Sequence, residues 1–326
     1  MSSQKLVISP APHVHGSNDT RRMMADVLIA LAPALVVSCL AHGWRALLVV
    51  AFSVVCCVVF EWAVQKFLLR GPLTIGNLSA VVTGVLLAFN LPANIPLGLV
   101  AIGCAVAIVV AKMTYGGLGK NLFNPALVGR VFLLIAFPVA MTSFPEIVGA
   151  VSGATPLAMA KEALKAGVPV SEVMQSVDLG DMSLGMKNGS LGEISVVALL
   201  VGFVWLLVRR VISWHIPVVV LGTMALFSTI MWGVNPDAYM SPLFHLLSGG
   251  AVLGAVFMAT DYVTSPMTTK GMVIYAVGIG FITMLIRLWG PYPEGMSFAI
   301  LIMNSVVPLI DKYVRPKRFG VVKSKK

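Results

Sequence analysis

The sequence predicts an all-α polytopic membrane protein, with about ten transmembrane helices in two inverted five-helix repeats joined by a long outer loop. Three observations support this fold class. Hydrophobic residues make up 58% of the chain and charged residues only 11%, which is too little polar surface for a soluble globule. Apolar runs long enough to cross a bilayer recur from end to end. An odd number of these runs lies on each side of one polar segment, residues 146–193.

The apolar runs are predicted to be helices rather than barrel strands. Backbone groups in lipid must be hydrogen-bonded internally, and the strands of a barrel alternate apolar and polar residues, which these runs do not. About 20 apolar residues in a helix span the hydrocarbon core. The predicted spans are residues 24–43, 44–67, 75–91, 95–113, 125–145, 194–210, 211–233, 246–261, 272–289 and 296–311.

The net charge of +10 is interpreted as a sign of membrane topology, not of a nucleic-acid partner. With the N-terminus inside, Lys and Arg concentrate in the inner segments, as the positive-inside rule requires. The polar N-terminal residues lack the apolar core of a cleavable signal peptide, so the first span is expected to be retained. The predicted segments are a cytoplasmic N-terminal segment (1–23), the first repeat (24–145), the outer loop (146–193), the second repeat (194–311) and a basic cytoplasmic tail (312–326).

The cysteines predict neither a metal site nor an iron–sulfur cluster in this chain. All of them lie within apolar spans, and no spacing resembles a zinc or iron–sulfur motif. We interpret them as small buried hydrophobic side chains. They are Cys39, Cys56, Cys57 and Cys104.

The third span of each half is short, rich in glycine, and ends at a polar residue near a proline. That residue is Asn90 in the first half and Asp261 in the second. Interrupted spans at corresponding places are typical of the ligand site of a transporter-like core, but ordinary helix ends explain them equally well.

Two short motifs are interpreted as helix caps. Asn124 followed by Pro125 is typical of an N-cap and first helical residue, and the second Asn-Pro-Ala copy that a water channel needs is absent. Ser190 and Glu193 have the spacing of a capping box that would open the sixth span.

The outer loop contains one motif that could carry a chemical modification. Thr155 is predicted to be the N-cap of a helix that begins at Pro156 and stops at Gly167. A phosphate bound to this hydroxyl would lie at a helix N-terminus, where free N–H groups and the helix dipole favour an anion. From the residues alone, the capping role is the preferred interpretation.

The stretch Ser152-Gly153-Ala154-Thr155 resembles the flavinylation motif of two related proteins, the D subunit of the Rnf complex and the B subunit of the sodium-translocating NADH:quinone oxidoreductase. The resemblance extends over nearly the whole chain, and the continuation Thr-Pro-Leu-Ala favours the Rnf protein. Further matching stretches are 21–26, 115–121 with Gly129-Arg130, 248–250, 257–266, 292–295, Met303-Asn304 and 308–311.

The resemblance implies a flavoprotein subunit of a redox-driven ion pump, not an independent enzyme. In that family, a flavin transferase on the outer face joins FMN to the threonine through a phosphoester, which here would be Thr155. The complex transfers electrons between ferredoxin and NAD and translocates Na+ or H+ across the bacterial inner membrane. Its other members would be membrane subunits, a second flavin-bearing subunit and iron–sulfur subunits. A non-covalent riboflavin near the inner side is also implied. One position departs from the motif, since Gly149 replaces its acidic residue.

The predicted cofactor-binding residues include two ionisable side chains besides the motif. Ionisable groups within a membrane are costly and are therefore candidates for function. Arg130 could contact a flavin phosphate, a substrate carboxylate or a structural acidic partner. Asp261 is the candidate for ion or cofactor contact, whereas Glu61 is expected to snorkel to the inner surface. The full set of predicted cofactor-binding residues is Ser152, Gly153, Ala154, Thr155, Arg130 and Asp261.

Two other functions are compatible with the same sequence. A flavin-free channel or transporter for a small solute would explain the inverted halves and interrupted spans. A scaffold that docks redox partners would need no cofactor. Only the flavoprotein interpretation predicts a flavin on Thr155, so detecting this flavin would distinguish it from the other two.

Overall fold

The computed structural model describes residues 19–70, 73–144, 155–166, 179–184 and 188–315. Within these ranges no residue lies in a β-strand, which confirms the all-α class. The helices of the first part are α1 Thr20–His42, α2 Trp44–Ala63 with a π-helical extension Val64–Leu69, α3 Ser79–Phe89, α4 Leu97–Ala105 with a π-helical extension Val106–Met113, α5 Pro125–Ala136 and α6 Pro138–Thr142.

The remaining helices begin in the central segment. They are α7 Pro156–Lys165, α8 Leu179–Leu184, α9 Val196–Val208, α10 His215–Val234, α11 Pro242–Leu247, α12 Ala251–Leu253 with a π-helical extension Gly254–Met258, α13 Thr269–Trp289 and α14 Met296–Tyr313. A short 3-10 turn, Ile75–Asn77, precedes α3.

The membrane character of the chain is confirmed. Five helices are long and apolar enough to cross a bilayer alone, and four shorter apolar helices accompany them. Each of the ten predicted spans contains helix. The exact number of spans and the inverted repeat stay predictions. The long helices are Thr20–His42, Trp44–Leu69, His215–Val234, Thr269–Trp289 and Met296–Tyr313.

The predicted helix starts are correct in one case and wrong in another. Asn124 caps α5, because its side-chain oxygen accepts from the N–H groups of Ala126 at 3.1 Å and Leu127 at 3.4 Å, with Pro125 as the first helical residue. The capping box at Ser190 is wrong. Helix α9 begins at Val196, and Ser195 is its cap, accepting from the Ala198 N–H at 3.3 Å. Glu193 instead turns towards a buried arginine.

A continuous buried apolar core connects the helices of both predicted halves. Helix α1 packs against α9, and α5 packs against α14. A glycine permits the first of these crossings, because a Cβ on Gly202 would overlap the carbonyl oxygen of Ala30. Small residues at such points let the backbones of membrane helices approach closely.

Candidate functional site

Thr155 begins α7 in the way that the sequence predicts. Its hydroxyl accepts a hydrogen bond from the Ala158 N–H at 3.2 Å, and Pro156 is the first helical residue. The helix ends at Lys165. The predicted stop at Gly167 lies outside the described residues, as do Ser152, Gly153, Ala154 and the departing Gly149. The capping role of Thr155 is therefore confirmed.

Thr155 also borders a cavity of about 350 Å³, which we name the Thr155 cavity. One face of α7 contributes Thr155, Ala158 and Glu162, which are spaced three and four residues apart. The remaining lining comes from both predicted halves of the chain and from the segment between them. It consists of Asn90, Arg130, Leu134, Met141, Thr142, Phe144, Leu157, Asn188, Ser190, Glu193, Gly249, Tyr292, Pro293 and Glu294.

Arg130 is the central charge of this cavity wall. It lies on α5, is 8% exposed, and donates to Asn90 Oδ1 at 2.9 Å and to Ser297 Oγ at 2.6 Å. It forms an ion pair with Glu294, and a second carboxylate, that of Glu193, lies 3.5 Å from its Nη2. The structural ion pair considered from the sequence is therefore present. Its acidic partners lie in connecting segments rather than in helices.

Glu294 connects this group to a second arginine and to the start of α12. Its carboxylate accepts from the Gly250 N–H. Burial acts to raise the pKa of Glu294, but the charges of Arg130 and Arg287 and the bond from Gly250 outweigh it, so the pKa lies below its ordinary value. A Cβ on Gly250 would approach both carboxylates within 3 Å, at 2.6 Å from Glu294 and 2.9 Å from Glu193. A side chain at this position would therefore displace the two carboxylates.

Arg287 stabilises the short loop that interrupts the helix between α11 and α12. It is buried and donates to the carbonyl oxygens of His245 at 2.5 Å and Ser248 at 3.1 Å. The last carbonyls of a helix carry partial negative charge, so a cation is favourable at the end of α11. This arginine fixes the loop that presents Gly249 to the cavity.

The end of α3 is closed by the segment that precedes α9. The N–H groups of Leu191 and Gly192 donate to the carbonyl oxygens of Leu91 at 3.0 Å and Phe89 at 2.8 Å. These bonds satisfy carbonyls that a helix end leaves unpaired. They also place Glu193 beside Arg130, which explains how a residue outside the helices reaches the site.

Asp261 lies at a second, smaller cavity of about 90 Å³, which we name the Asp261 cavity. Its carboxylate accepts from Thr264 Oγ1 at 3.1 Å. Residues of α3 from Ser79 to Leu86 border the Asp261 cavity, whereas Asn90, just after α3, borders the Thr155 cavity, and the two linings share no residue. Asp261 and Thr155 are therefore not brought together.

Lys112 also borders the Asp261 cavity, but its charge is already paired. Its ammonium donates to Glu61 Oε2 at 2.6 Å and to Ser79 Oγ at 2.7 Å, and both charged side chains are 2% exposed. The expectation that Glu61 snorkels is wrong, because α4 and its extension supply a lysine at the depth of the carboxylate. Sequence inspection misses this pair, since Lys112 has the position of an inner-surface cation.

The residues of the Thr155 cavity are compatible with a flavin. Ligand sites of roughly 300–1,000 Å³ are common, and most are largely apolar with a few fixed polar groups. Here Leu134, Met141 and Tyr292 border the space together with Arg130. Arg130 Nε and Ser190 Oγ are buried polar atoms of the lining that have no hydrogen-bond partner within the described part of the chain. These atoms could bind the polar edge of a ligand. Within the same part, no cluster of metal-ligating side chains is present.

Comparison with known proteins assigns the whole chain to one family. The model of the NQR2, RnfD, RnfE family matches residues 7–320. The D subunit of the Na+-translocating ferredoxin:NAD+ oxidoreductase complex of Acetobacterium woodii is 45% identical over 330 residues, 100% of this chain and 99% of the relative.

Two further relatives have similar coverage. The D subunit of the proton-translocating ferredoxin:NAD+ oxidoreductase complex of Clostridium ljungdahlii is 43% identical over 96% of each chain. The D subunit of the ion-translocating oxidoreductase complex of Escherichia coli O7:K1 is 37% identical over 96% of this chain and 98% of the relative.

Proposed function

Since this chain belongs to the NQR2, RnfD, RnfE family, we propose that it is the D subunit of an ion-translocating ferredoxin:NAD+ oxidoreductase of the bacterial inner membrane. Its relatives are named as subunits of such complexes. Their names include both Na+ and proton translocation, so the proposed pumped ion is Na+ or H+. Its partners would be the other membrane, flavin-bearing and iron–sulfur subunits.

Within the complex, the proposed role of this subunit is electron relay through FMN linked covalently to Thr155. One observation carries this proposal: the threonine of the motif borders the same cavity as Arg130, which lies 25 residues away in sequence on α5. A phosphoester on the Thr155 hydroxyl would lie at the N-terminus of α7, where backbone N–H groups favour an anion. Bound FMN would supply reversible one- and two-electron transfer.

The chain's own residues would bind and tune this cofactor. Asn90, Ser297 and Glu294 fix Arg130 in one orientation by hydrogen bonds. A fixed cation in a low-dielectric wall stabilises negative charge more than a solvated cation does. Arg130 would therefore stabilise the reduced form of the flavin, and the apolar lining from Leu134 and Met141 would limit water access.

The proposed topology places the Thr155 cavity at the outer face and both termini in the cytoplasm. We propose that the ten spans form two inverted repeats, residues 24–145 and 194–311. The helix contacts support this arrangement. The first helices of the two halves, α1 and α9, contact each other, and so do the fifth helices, α5 and α14, as an approximate two-fold relation requires.

A non-covalent riboflavin near the inner side is also proposed. The Asp261 cavity includes Ser79, at the start of α3, which lies towards that side in the proposed topology.

In-gel fluorescence tests the flavin proposal. The protein, produced in a host that has the flavin transferase, should keep a fluorescent band on a denaturing gel. Thr155→Ala should abolish the band and reduce electron transfer through the assembled complex to background, because the attachment atom is lost. Thr142→Ala is the matched control, since Thr142 borders the same cavity and should leave the band unchanged.

A Thr155→Ala variant that keeps its fluorescence would contradict the attachment site. A colourless wild-type protein that conducts a small solute into liposomes would support the transporter alternative instead. Normal turnover of the complex with Thr155→Ala would indicate a scaffold.

A further inference from the structure

A lysine that has no assigned role holds the threonine-bearing helix to the rest of the protein. Lys161 lies on α7, and its ammonium donates to the carbonyl oxygens of Gly290 at 2.5 Å, Tyr292 at 2.8 Å and Ile286 at 3.4 Å. An ammonium group has three donors. All three are used here, and each acceptor is backbone.

The acceptors identify what Lys161 is attached to. Helix α13 ends at Trp289, so Gly290 and Tyr292 lie just beyond its end. Ile286 is in its last turn, and its carbonyl oxygen also accepts from the Gly290 N–H at 2.9 Å. A cation is favourable at that end of a helix. The segment that follows supplies Tyr292, Pro293 and Glu294 to the Thr155 cavity. Lys161 therefore connects α7 directly to another wall of that cavity.

The other attachment of α7 is small. Leu157 and Ala160 are buried in an apolar cluster with Met182, Met240 and Phe244, which is separate from the main core. A cluster of this size contributes little compared with the core contacts that hold the long helices. Lys161 therefore adds three polar contacts to this small apolar attachment.

The attachment is also of limited strength. Burial lowers the pKa of Lys161, and repulsion from Lys165 adds to the effect. The cost of burying the charge offsets part of the hydrogen-bond free energy.

We propose that Lys161 is a positioning residue that locks α7 over the Thr155 cavity. The effect on the cofactor rests on the proposed function, because it requires FMN on Thr155. The lock itself does not, since it is defined by contacts within this chain. The two parts can therefore be tested separately.

Hydrogen–deuterium exchange of the assembled complex tests the lock without reference to flavin. Lys161→Met, which removes the donors and keeps the chain length, should make exchange in residues 156–165 about tenfold faster, as expected for lost hydrogen bonds to a charged group. Lys165→Met is the matched control, because Lys165 is an exposed cation on the same helix, and it should leave exchange within about twofold of wild type. Exchange in α10 should be unchanged in both variants.

Equal exchange rates in Lys161→Met and wild type would overturn the proposal. If Lys161→Met also accelerates exchange in α10, Lys161→Gln is measured as a second variant. It is expected to accelerate exchange in α7 by the same factor and to leave α10 unchanged. Acceleration of α10 in that variant too would show a general structural role and would also overturn the proposal. Lys161→Arg keeps the cation and should restore slow exchange in α7.

A spectroscopic measurement tests the effect of Lys161 on the cofactor. Time-resolved fluorescence anisotropy of the covalent FMN should show added fast local motion in Lys161→Met but not in Lys165→Met or Lys161→Arg. Unchanged anisotropy together with accelerated exchange would overturn the positioning role for the cofactor. An unlabelled Thr155 in every variant would instead contradict the proposed function, while the exchange result still decides the lock.

Discussion

Arg130 and Lys112 are both cations buried within a membrane protein, but their surroundings differ. Lys112 and its partners Glu61 and Ser79 come from α2, α3 and the extension of α4, all within the first predicted half. Arg130 also bonds to residues that follow α13, namely Glu294 and Ser297. It borders a large cavity, and its Nε has no partner among the described residues.

This difference separates a structural charge from a functional one. A buried ion pair whose partners are all close together in one bundle stabilises that bundle when complete. A cation shared between two halves and open to a cavity can interact with a ligand as well. Burial alone does not distinguish them, because both residues are less than a tenth exposed, at 2% for Lys112 and 8% for Arg130.

The largest expected effect is a loss of stability on substitution of Lys112. Lys112→Met should lower the free energy of unfolding by about 3–5 kcal/mol, because the Glu61 carboxylate would stay buried without its partner. The measurement is reversible unfolding of the purified subunit in detergent. The double variant Glu61→Gln with Lys112→Met should recover most of this loss, and a double variant as unstable as the single one would contradict the pairing.

At Arg130, the expected effect is smaller on stability and larger on the cofactor. Arg130→Gln should cost about 1–3 kcal/mol, since Glu294 keeps its bond from Gly250 and the nearby charge of Arg287. It should also lower the midpoint potential of the Thr155-linked flavin by on the order of 30 mV or more, as a lost cation disfavours the reduced form.

Spectroelectrochemical titration of the purified subunit measures this potential. Lys112→Met, in its folded fraction, is the matched control and should leave the potential of the Thr155-linked flavin unchanged. If Arg130→Gln leaves the midpoint potential of the flavin unchanged, Arg130 has a structural role like that of Lys112.

The smallest effect is expected at a third ion pair. Arg209 donates to both oxygens of Asp26, at 3.1 and 3.2 Å, and joins the end of α9 to α1. Its side chain is 35% exposed, so Arg209→Gln should cost only about 1 kcal/mol. The thermal unfolding midpoint of the subunit in detergent measures this, and a loss as large as that of Lys112→Met would show that exposure does not rank these pairs.

The fold class was predictable because its signals are local. Long apolar runs and the caps at Asn124 and Thr155 depend on neighbouring residues, and the structure agrees with both caps. The wrong capping box at Ser190 shows where a prediction from neighbouring residues alone fails. Glu193 has the spacing of a cap, but a buried cation 63 residues earlier in sequence competes for its carboxylate.

The site was only partly predictable for the same reason. Arg130, Thr155 and Glu294 stand out in sequence as ionisable or motif residues. Asn90 and Lys161 do not, because their roles depend on which helix ends meet in space. The signal at Asn90 was a polar residue at the end of a short apolar span, which indicated an interruption without naming its partner.

Peptide mass analysis tests the central claim most directly. Wild-type protein from a host with the flavin transferase is digested, and the mass of the fragment that contains Thr155 is measured. The account predicts the mass of one FMN joined through a phosphoester, with fragmentation placing it on Thr155. An unmodified fragment, or FMN on another residue, would contradict it.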